Sequence, residues 1–300
     1  MYTQWLRQAG IIWTGILWSF LSYGQSAPVG SLPMQYVGSF AGEAGVPRLS
    51  SSFSYQNHNN FNGRQDVYES YLSYDQFIPA IRSGIGITTG VGNNLNAVGY
   101  NNQWTPIYFN KSNLYYISGV LAPKFSIQGK YTISPSIDYS YQGNSALSGY
   151  YSRQCRVGML FNTKKYYIGY SVYLLNNYAF KDTNNINTKV RGSERGHLQL
   201  GYTFQPSSES KFSCTPQMAI LVYENYYDQV VRVGIPALML NFRYSHLLMG
   251  INNRGWHFGW QTDKVRAMAS ASFGNEKFFG NLSFRYLIKN QQGNKSTPFY

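Results

Sequence analysis

Apolar and polar side chains alternate along most of this chain. The pattern is clearest in residues 128–142, where the apolar positions are Tyr131, Ile133, Ile137, Tyr139 and Tyr141. The intervening polar positions are Lys130, Thr132, Ser134, Ser136, Asp138, Ser140 and Gln142. Because successive side chains of an extended strand point to opposite faces, this period of two predicts a strand with one apolar and one polar surface. Such strands form the wall of a transmembrane β-barrel, apolar toward lipid and polar toward the lumen.

The same alternation recurs between Gly/Asn/Ser-rich breaks and predicts about fourteen antiparallel strands in an all-β outer-membrane barrel. Pro216 and Pro236 weaken the ninth and tenth of these strands, because proline cannot donate a ladder hydrogen bond. The predicted strands are 48–56, 66–77, 81–91, 113–126, 130–142, 151–161, 165–175, 196–205, 211–222, 230–242, 246–252, 256–261, 264–273 and 277–289.

The lengths of the connections give a second indication of a barrel. If the first strand starts on the periplasmic side, the connections after odd-numbered strands face outward. Two long irregular loops, predicted at 92–112 and 176–195, follow strands three and seven, whereas most connections after even strands are short. Outer-membrane barrels show this asymmetry. Aromatic side chains in the two loops are candidates for partner binding or for plugging the lumen: Trp104, Tyr108, Phe109, Tyr178 and Phe180.

The N-terminus has the features of a cleaved export signal. Arg7 supplies a positive start, residues 11–21 form an apolar core too short to span a membrane, and Ser22 and Gly24 place small residues before a cut at Gln25. A short membrane anchor is the alternative. The predicted organisation is a signal peptide (1–24), a periplasmic or lumenal segment (25–47), the barrel (48–289) and a C-terminal tail (290–300).

Composition supports an integral barrel over a nucleic-acid-binding protein. Charged residues make up 12% of the chain, and its 28 tyrosines suit the aromatic girdles of a barrel. The formal net charge is +13, but the basic residues are scattered, without the dense Lys/Arg run that marks a nucleic-acid-binding arm. The two cysteines, Cys155 and Cys214, have no spacing that supports a disulfide, and free thiols are the preferred interpretation.

The sequence contains no recognisable catalytic or metal-binding motif. None of the four histidines stands in an HExxH spacing, and there is no GxSxG motif and no P-loop. A barrel hydrolase that uses His197 with a lumenal or loop serine is conceivable, although a polar lumen brings such side chains together by default. We therefore predict no catalytic residue, no bound metal and no cofactor.

Several motifs resemble a known family. Residues 34–49 read MQYVGSFAGEAGVPRL and run into the first strand, followed by SYDQF at 73–77 and RSGIG at 82–86. This combination resembles the PorP/SprF family of type IX secretion membrane proteins of Bacteroidetes, over essentially all of 34–289. Weaker matches lie at 122–126, 131–136, 259–261 and 284–286. One departure is that residues 32–36 lack the Asn-Pro that usually precedes the Ala-Gly of the motif.

The resemblance implies an outer-membrane barrel of the type IX secretion and gliding machinery without enzymatic activity. Expected partners are a secreted adhesin, through its C-terminal sorting domain, and periplasmic components of the secretion apparatus. Outer-membrane lipid is the third expected partner, and nucleic acid is excluded. The competing hypothesis is a channel for small molecules or fatty acids, since barrels of this size also serve transport.

Overall fold

Long antiparallel strands make up most of the computed structural model. It describes residues 37–60, 63–100, 106–144, 151–163, 165–181, 187–191, 194–207, 210–224, 231–234, 236–252, 255–274 and 277–288. The predicted signal peptide (1–24), the first part of the predicted N-terminal segment (25–36) and the predicted tail (290–300) lie outside these residues. Within them, no helix is long and apolar enough to cross a membrane.

In the described part of the chain, seventeen strand segments form one sheet, and three pairs of segments continue one another across a short break, which gives fourteen strands. They are β1 Arg48–Asn60, β2 Gly63–Ile78, β3 Ser83–Tyr100, β4 Pro106–Pro123 with Phe125–Ile127, β5 Tyr131–Asn144, β6 Tyr151–Asn162, β7 Tyr166–Lys181, β8 Asn187–Arg191 with Glu194–Tyr202, β9 Phe212–Glu224, β10 Val231–Val233 with Ala237–Tyr244, β11 Leu247–Asn252, β12 Gly255–Gln261, β13 Val265–Gly274 and β14 Lys277–Leu287. The structure confirms the predicted all-β antiparallel barrel.

The sheet closes because β1 pairs with β14 as well as with β2. The β1–β14 ladder runs from Arg48 opposite Leu287 to His58 opposite Lys277. On its other edge, β1 pairs with β2 from Arg48 opposite Asp75 to Asn60 opposite Gly63. A closed sheet satisfies the backbone hydrogen bonds of every strand, and lipid cannot supply them to an open edge.

Each strand presents the two surfaces that the alternation predicts. On β1, Ser50, Ser52 and Ser54 are buried inside the barrel, whereas Phe53 between them is 46% exposed. On β5, Ser136 and Asp138 are buried and Ile137 is 50% exposed. The exposed apolar surface is the surface that lipid covers, and the buried polar surface forms the lumen wall.

Aromatic side chains gather near both ends of the strands. On the side of the short turns, the Phe161 ring packs between those of Tyr131 and Tyr166. On the opposite side, the Tyr141 ring lies between those of Tyr115 and Tyr151. Tyr131 and Tyr141 are ten residues apart on β5. That separation is about 33 Å along a strand, and about 25 Å across the membrane at the usual tilt of such barrels, which is the height of an apolar band.

The prediction of two long irregular loops at 92–112 and 176–195 is wrong over most of both ranges. Instead β3 and β4 continue as a paired hairpin until Tyr100 lies opposite Pro106, and β7 pairs with the first segment of β8 as far as Lys181 opposite Asn187. Beyond the lipid both faces of a hairpin meet water, so its residues need not alternate between apolar and polar. The period of two therefore disappears from the sequence although the strands continue.

The wall of the barrel is uneven in height. β3 has 18 residues, whereas β11 has six and β12 has seven. A membrane-spanning β-strand usually needs about 9–11 residues. The β3–β4 hairpin therefore projects well beyond the lipid, and the β11–β12 hairpin forms the low part of the rim.

We expect Ile137→Arg to lower the free energy of unfolding by about 2–4 kcal/mol, because it places a charge on the lipid face near the middle of β5. Ile127→Arg is the matched control, since Ile127 is also exposed but adjoins the turn after β4. Its cost should be about 0–1 kcal/mol, as at the membrane interface. Urea unfolding in phospholipid vesicles measures both values, and equal costs would contradict the assignment of this face to lipid.

Candidate functional site

The residues before β1 turn into the barrel and occupy part of its lumen. Residues 37–42 are all buried, and they include a single 3₁₀ turn at Gly38–Phe40. We call residues 37–47 the lumenal segment. Its contacts are with side chains from the inward faces of β2, β4, β5, β6 and β7, near the ends that carry the short turns. The segment thus fills the β2–β7 side of the lumen at that end.

A buried ion pair fixes the point where the lumenal segment joins the barrel wall. Arg48 Nε donates to Asp75 Oδ2 at 2.7 Å, and Arg48 Nη2 donates to Asp75 Oδ1 at 3.1 Å. Both side chains are 1% exposed. Arg48 Nη2 also donates to the Phe40 carbonyl oxygen, and the Gly42 N–H donates to Asp75 Oδ1. One carboxylate therefore holds the first strand and the segment together, with the paired geometry that arginine and carboxylate favour.

Two glycines allow the segment to approach the wall at backbone distance. Gly42 has a φ of +67°, which an L side chain rarely adopts. An added Cβ at Gly84 on β3 would lie 1.9 Å from the Ala41 carbonyl oxygen, which is impossible without movement of the segment. The Ala-Gly of the segment and the glycine-rich start of β3 are therefore the two sides of one contact.

A second charged contact lies further round the lumen. Lys124 Nζ donates to Glu43 Oε2 at 2.8 Å and to the Ser39 carbonyl oxygen at 2.6 Å. Asn162 of β6 donates its side-chain N–H to the other Glu43 oxygen. Ser39 itself donates through Oγ to Ser136 on β5. The segment is thus hydrogen-bonded to the wall from β2 to β6.

Apolar contacts also hold the lumenal segment against the barrel wall. The Phe40 ring meets the Tyr167 ring edge-on, with centroids 5.5 Å apart. The buried apolar cluster around them contains Val37, Phe40, Ala41, Ala122, Leu160 and Tyr167. Burial of an aromatic ring against a ring and aliphatic side chains stabilises by about 1.5–3 kcal/mol relative to exposure. A partner that displaced the segment would have to replace these contacts.

Above the segment, a third ion pair is buried in the lumen. Arg156 Nε of β6 donates to Asp138 Oδ1 of β5 at 2.7 Å, and the Arg156 guanidinium lies 5.6 Å from the centre of the Tyr173 ring. His197, the histidine of the hydrolase hypothesis, has its Nε2 3.4 Å from the Tyr173 hydroxyl oxygen. His197 therefore contacts a tyrosine of the lumen network. In the described part of the chain, no group of three or more His, Cys, Asp or Glu side chains could hold a metal.

The predicted partner-binding residues fall on two separate hairpins. Tyr108 and Phe109 belong to β4, opposite Val98 and Ala97 of β3. Tyr178 and Phe180 belong to β7, opposite Val190 and Thr188 of β8. Trp104 lies outside the described residues. Since β5 and β6 stand between β4 and β7 in the sheet, strand pairing does not bring the two groups together.

Sequence reasoning did not assign a role to the residues that seat the segment. Arg48, Asp75, Gly42 and Gly84 all lie within the motifs quoted for the family resemblance, but their mutual contact is visible only in the structure. One indication was available, because Asp75 is a charged residue on the inward face of its strand. Cys155 and Cys214 are free thiols, as preferred from their spacing.

The family comparison points in the same direction as the motifs. The model of a family described as Type IX secretion system membrane protein PorP/SprF matches residues 131–298, more than half of the 300-residue chain. The match begins at β5, so the motifs at 34–49 and 73–77 lie outside it. No curated protein matches the chain at the sequence level.

Solved structures with a similar arrangement of strands include transporters and a translocator domain. The toluene transporter TodX of Pseudomonas putida is 12% identical, with a TM-score of 0.48 over 88% of this chain and 93% of its own. The toluene transporter TbuX of Ralstonia pickettii is 9% identical, with a TM-score of 0.49 over 89% and 96%. The translocator domain of the autotransporter NalP from Neisseria meningitidis is 11% identical, with a TM-score of 0.40 over 80% and 88%. Likenesses of this size carry no functional assignment.

We expect Asp75→Leu to lower the free energy of unfolding by about 3–5 kcal/mol, because Arg48 would stay buried without its carboxylate partner. The double variant Arg48→Met/Asp75→Leu should cost less than either single change, since it removes both charges together. Asp263→Leu is the control, because Asp263 is exposed in the turn between β12 and β13, and should cost about 0.5 kcal/mol or less. Urea unfolding in detergent micelles gives the values. A double variant as costly as the two singles added would contradict the role of the pair.

Gly84→Ala should displace the lumenal segment, whereas Gly119→Ala should not, because an added Cβ at Gly119 meets nothing within 4 Å. The reporter is a cysteine at the fully buried Ser39, in a chain with Cys155 and Cys214 replaced by alanine. Its labelling by a maleimide should be at least about tenfold faster with Gly84→Ala, the effect of about 1.4 kcal/mol on the opening equilibrium. Equal rates in the two variants would show that the segment is not held at this contact.

Proposed function

Because this chain belongs to the PorP/SprF family of type IX secretion system membrane proteins, we propose that it is a non-enzymatic outer-membrane anchor for a secreted surface protein. The partner we propose is an adhesin that carries a C-terminal sorting domain. The barrel would hold this partner at the cell surface, and components of the secretion apparatus would meet the barrel from the periplasm.

The observation that carries this proposal is the projecting β3–β4 hairpin. β3 and β4 pair without interruption from Ser83 opposite Pro123 to Asn94 opposite Ser112, and pairing continues to Tyr100 opposite Pro106. A strand needs only about 9–11 residues to cross the lipid, so several residue pairs of this hairpin stand in water. A paired ribbon has a backbone of fixed geometry, and such preorganisation lowers the cost of binding a partner.

The occupied lumen also supports an anchor over an open channel. Residues 37–42 of the lumenal segment are buried, the Gly42 N–H donates to Asp75, and Glu43 forms an ion pair with Lys124 of the wall. Solutes would have to pass beside it or displace it. A rigid barrel with an occupied lumen can present its outer rim to a partner without leaking solutes across the membrane.

Shortening the β3–β4 hairpin tests the anchor function. Deletion of Leu95–Lys111, with Asn94 and Ser112 joined by Asn-Gly, leaves a directly opposed pair connected by a two-residue turn. We expect loss of the adhesin from the cell surface, measured by antibody labelling of intact cells, while the barrel still folds. The matched control removes His58–Gln65 and joins Asn57 to Asp66, also a directly opposed pair, by the same Asn-Gly turn, and should retain the adhesin.

The results that contradict the proposal are distinct. Unchanged surface labelling after the β3–β4 deletion would rule out this hairpin as the platform. A steady open conductance of the purified parent protein in planar bilayers would instead support transport of small molecules or fatty acids.

A further inference from the structure

The rim of the barrel on the side of the short turns carries a ring of positive charge. An exposed basic side chain stands in the connections β2–β3, β4–β5, β6–β7, β8–β9 and β12–β13. These residues are Arg82, Lys130, Lys165, Lys211 and Lys264. We call this set the basic rim. Within the described residues no ion pair joins any of its members to an acidic side chain.

The basic rim lies at the height of the aromatic girdle. Lys130 precedes Tyr131, Lys165 precedes Tyr166 and Lys211 precedes Phe212, and each of these rings is 37–38% exposed on the outer face. Trp260, 48% exposed, is the penultimate residue of β12, the strand that leads to Lys264. Exposed tyrosine and tryptophan rings of a barrel sit at the boundary between acyl chains and headgroups. The neighbouring ammonium and guanidinium groups are thereby placed at the level of the lipid phosphates.

Turn geometry keeps these side chains at the surface. Arg82 caps the 3₁₀ turn Pro79–Ile81 with a φ of 48°, and its backbone N–H donates to the Pro79 carbonyl oxygen. The Lys130 N–H donates to the Ile127 carbonyl oxygen in the same way. Because the backbone of each turn is hydrogen-bonded within itself or to the adjoining strands, the long basic side chains are left to extend toward the headgroup layer.

Acidic residues offset this charge only in part. In the sequence, the five connections contain two acidic residues, Asp263 beside Lys264 and Glu209 two positions before Lys211, against the five basic residues of the rim. The lumen cations nearest this end already have partners, because Arg48 meets Asp75 and Lys124 meets Glu43. The rim thus has a net positive charge toward the lipid, distinct from the paired charges inside the barrel.

We propose that the basic rim binds the phosphate groups of anionic phospholipids in the leaflet that it contacts. Each lysine or arginine near an anionic membrane surface attracts it by a modest amount, and five of them around one circumference act together on a shell of lipid. The ligand is an anionic phospholipid such as phosphatidylglycerol. This inference does not depend on the proposed anchor function.

The test measures the lipid shell of the protein purified from outer membranes and reconstituted in phosphatidylcholine. Spin-labelled phosphatidylglycerol and spin-labelled phosphatidylcholine report the fraction of each lipid immobilised against the barrel. We expect a preference of about fivefold for phosphatidylglycerol at low salt, the effect of about one basic group per bound lipid. The preference should fall toward one in high salt, because mobile ions screen exposed charges.

Matched variants separate charge from fold. The variant with Arg82→Gln, Lys130→Gln, Lys165→Gln, Lys211→Gln and Lys264→Gln should lose the preference. The variant with Lys130→Arg, Lys165→Arg, Lys211→Arg and Lys264→Arg keeps every charge and should retain it. If the variant with all five glutamine substitutions does not fold, the double variant Lys130→Gln/Lys165→Gln, on neighbouring turns, should lower the preference for phosphatidylglycerol in part.

Two results would overturn the proposal. The parent protein could show no preference for phosphatidylglycerol. The basic rim would then be a binding surface for an acidic partner in solution and not for lipid. The variant with all five glutamine substitutions could keep the full preference for phosphatidylglycerol, which would place the anionic lipid elsewhere on the barrel. Neither result would bear on the β3–β4 hairpin, whose test uses the adhesin on intact cells.

Discussion

The structure depends on the pairing between β1 and β14. In lipid an unpaired edge strand would leave a row of backbone N–H and C=O groups without partners, at several kcal/mol for each group. The ladder from Arg48–Leu287 to His58–Lys277 removes that edge. On its other edge, β1 pairs with β2, which places Arg48 opposite Asp75 at the end that carries the short turns and so fixes where the preceding residues enter the lumen. The same strand therefore closes the wall and positions the lumenal segment.

The lumenal segment shows why charged residues occur inside the barrel at these positions. A buried charge is costly unless a hydrogen-bonded partner compensates it, and here the partners belong to different elements. Asp75 on β2 accepts from Arg48 of β1 and from the N–H of Gly42, and Glu43 accepts from Lys124, which lies between the two segments of β4. The main effect of such pairs is to fix one position for the lumenal segment, and their contribution to stability is smaller. Neighbouring glycines provide the space that this position requires.

Much of the wall could be predicted from the sequence, because the lipid forces a period of two on every residue that it touches. Strands β5 and β12 were predicted to within a residue or two for that reason. The hairpin beyond Gly92 was not, since residues in water are under no such constraint. The contact between Arg48 and Asp75 joins residues 27 positions apart, and only the strand register reveals it. The match to the PorP/SprF family confirms the resemblance suggested by the motifs.

The low wall at β11 and β12 has a consequence for the surrounding bilayer. Six and seven residues span about 15–18 Å of membrane height at the usual rise and tilt, against an apolar band of about 25 Å. A wall shorter than the apolar band is accommodated by local thinning of the membrane or by flanking side chains that extend to the interface. We therefore expect the bilayer to be thinner beside β11 and β12 than beside β3 and β4.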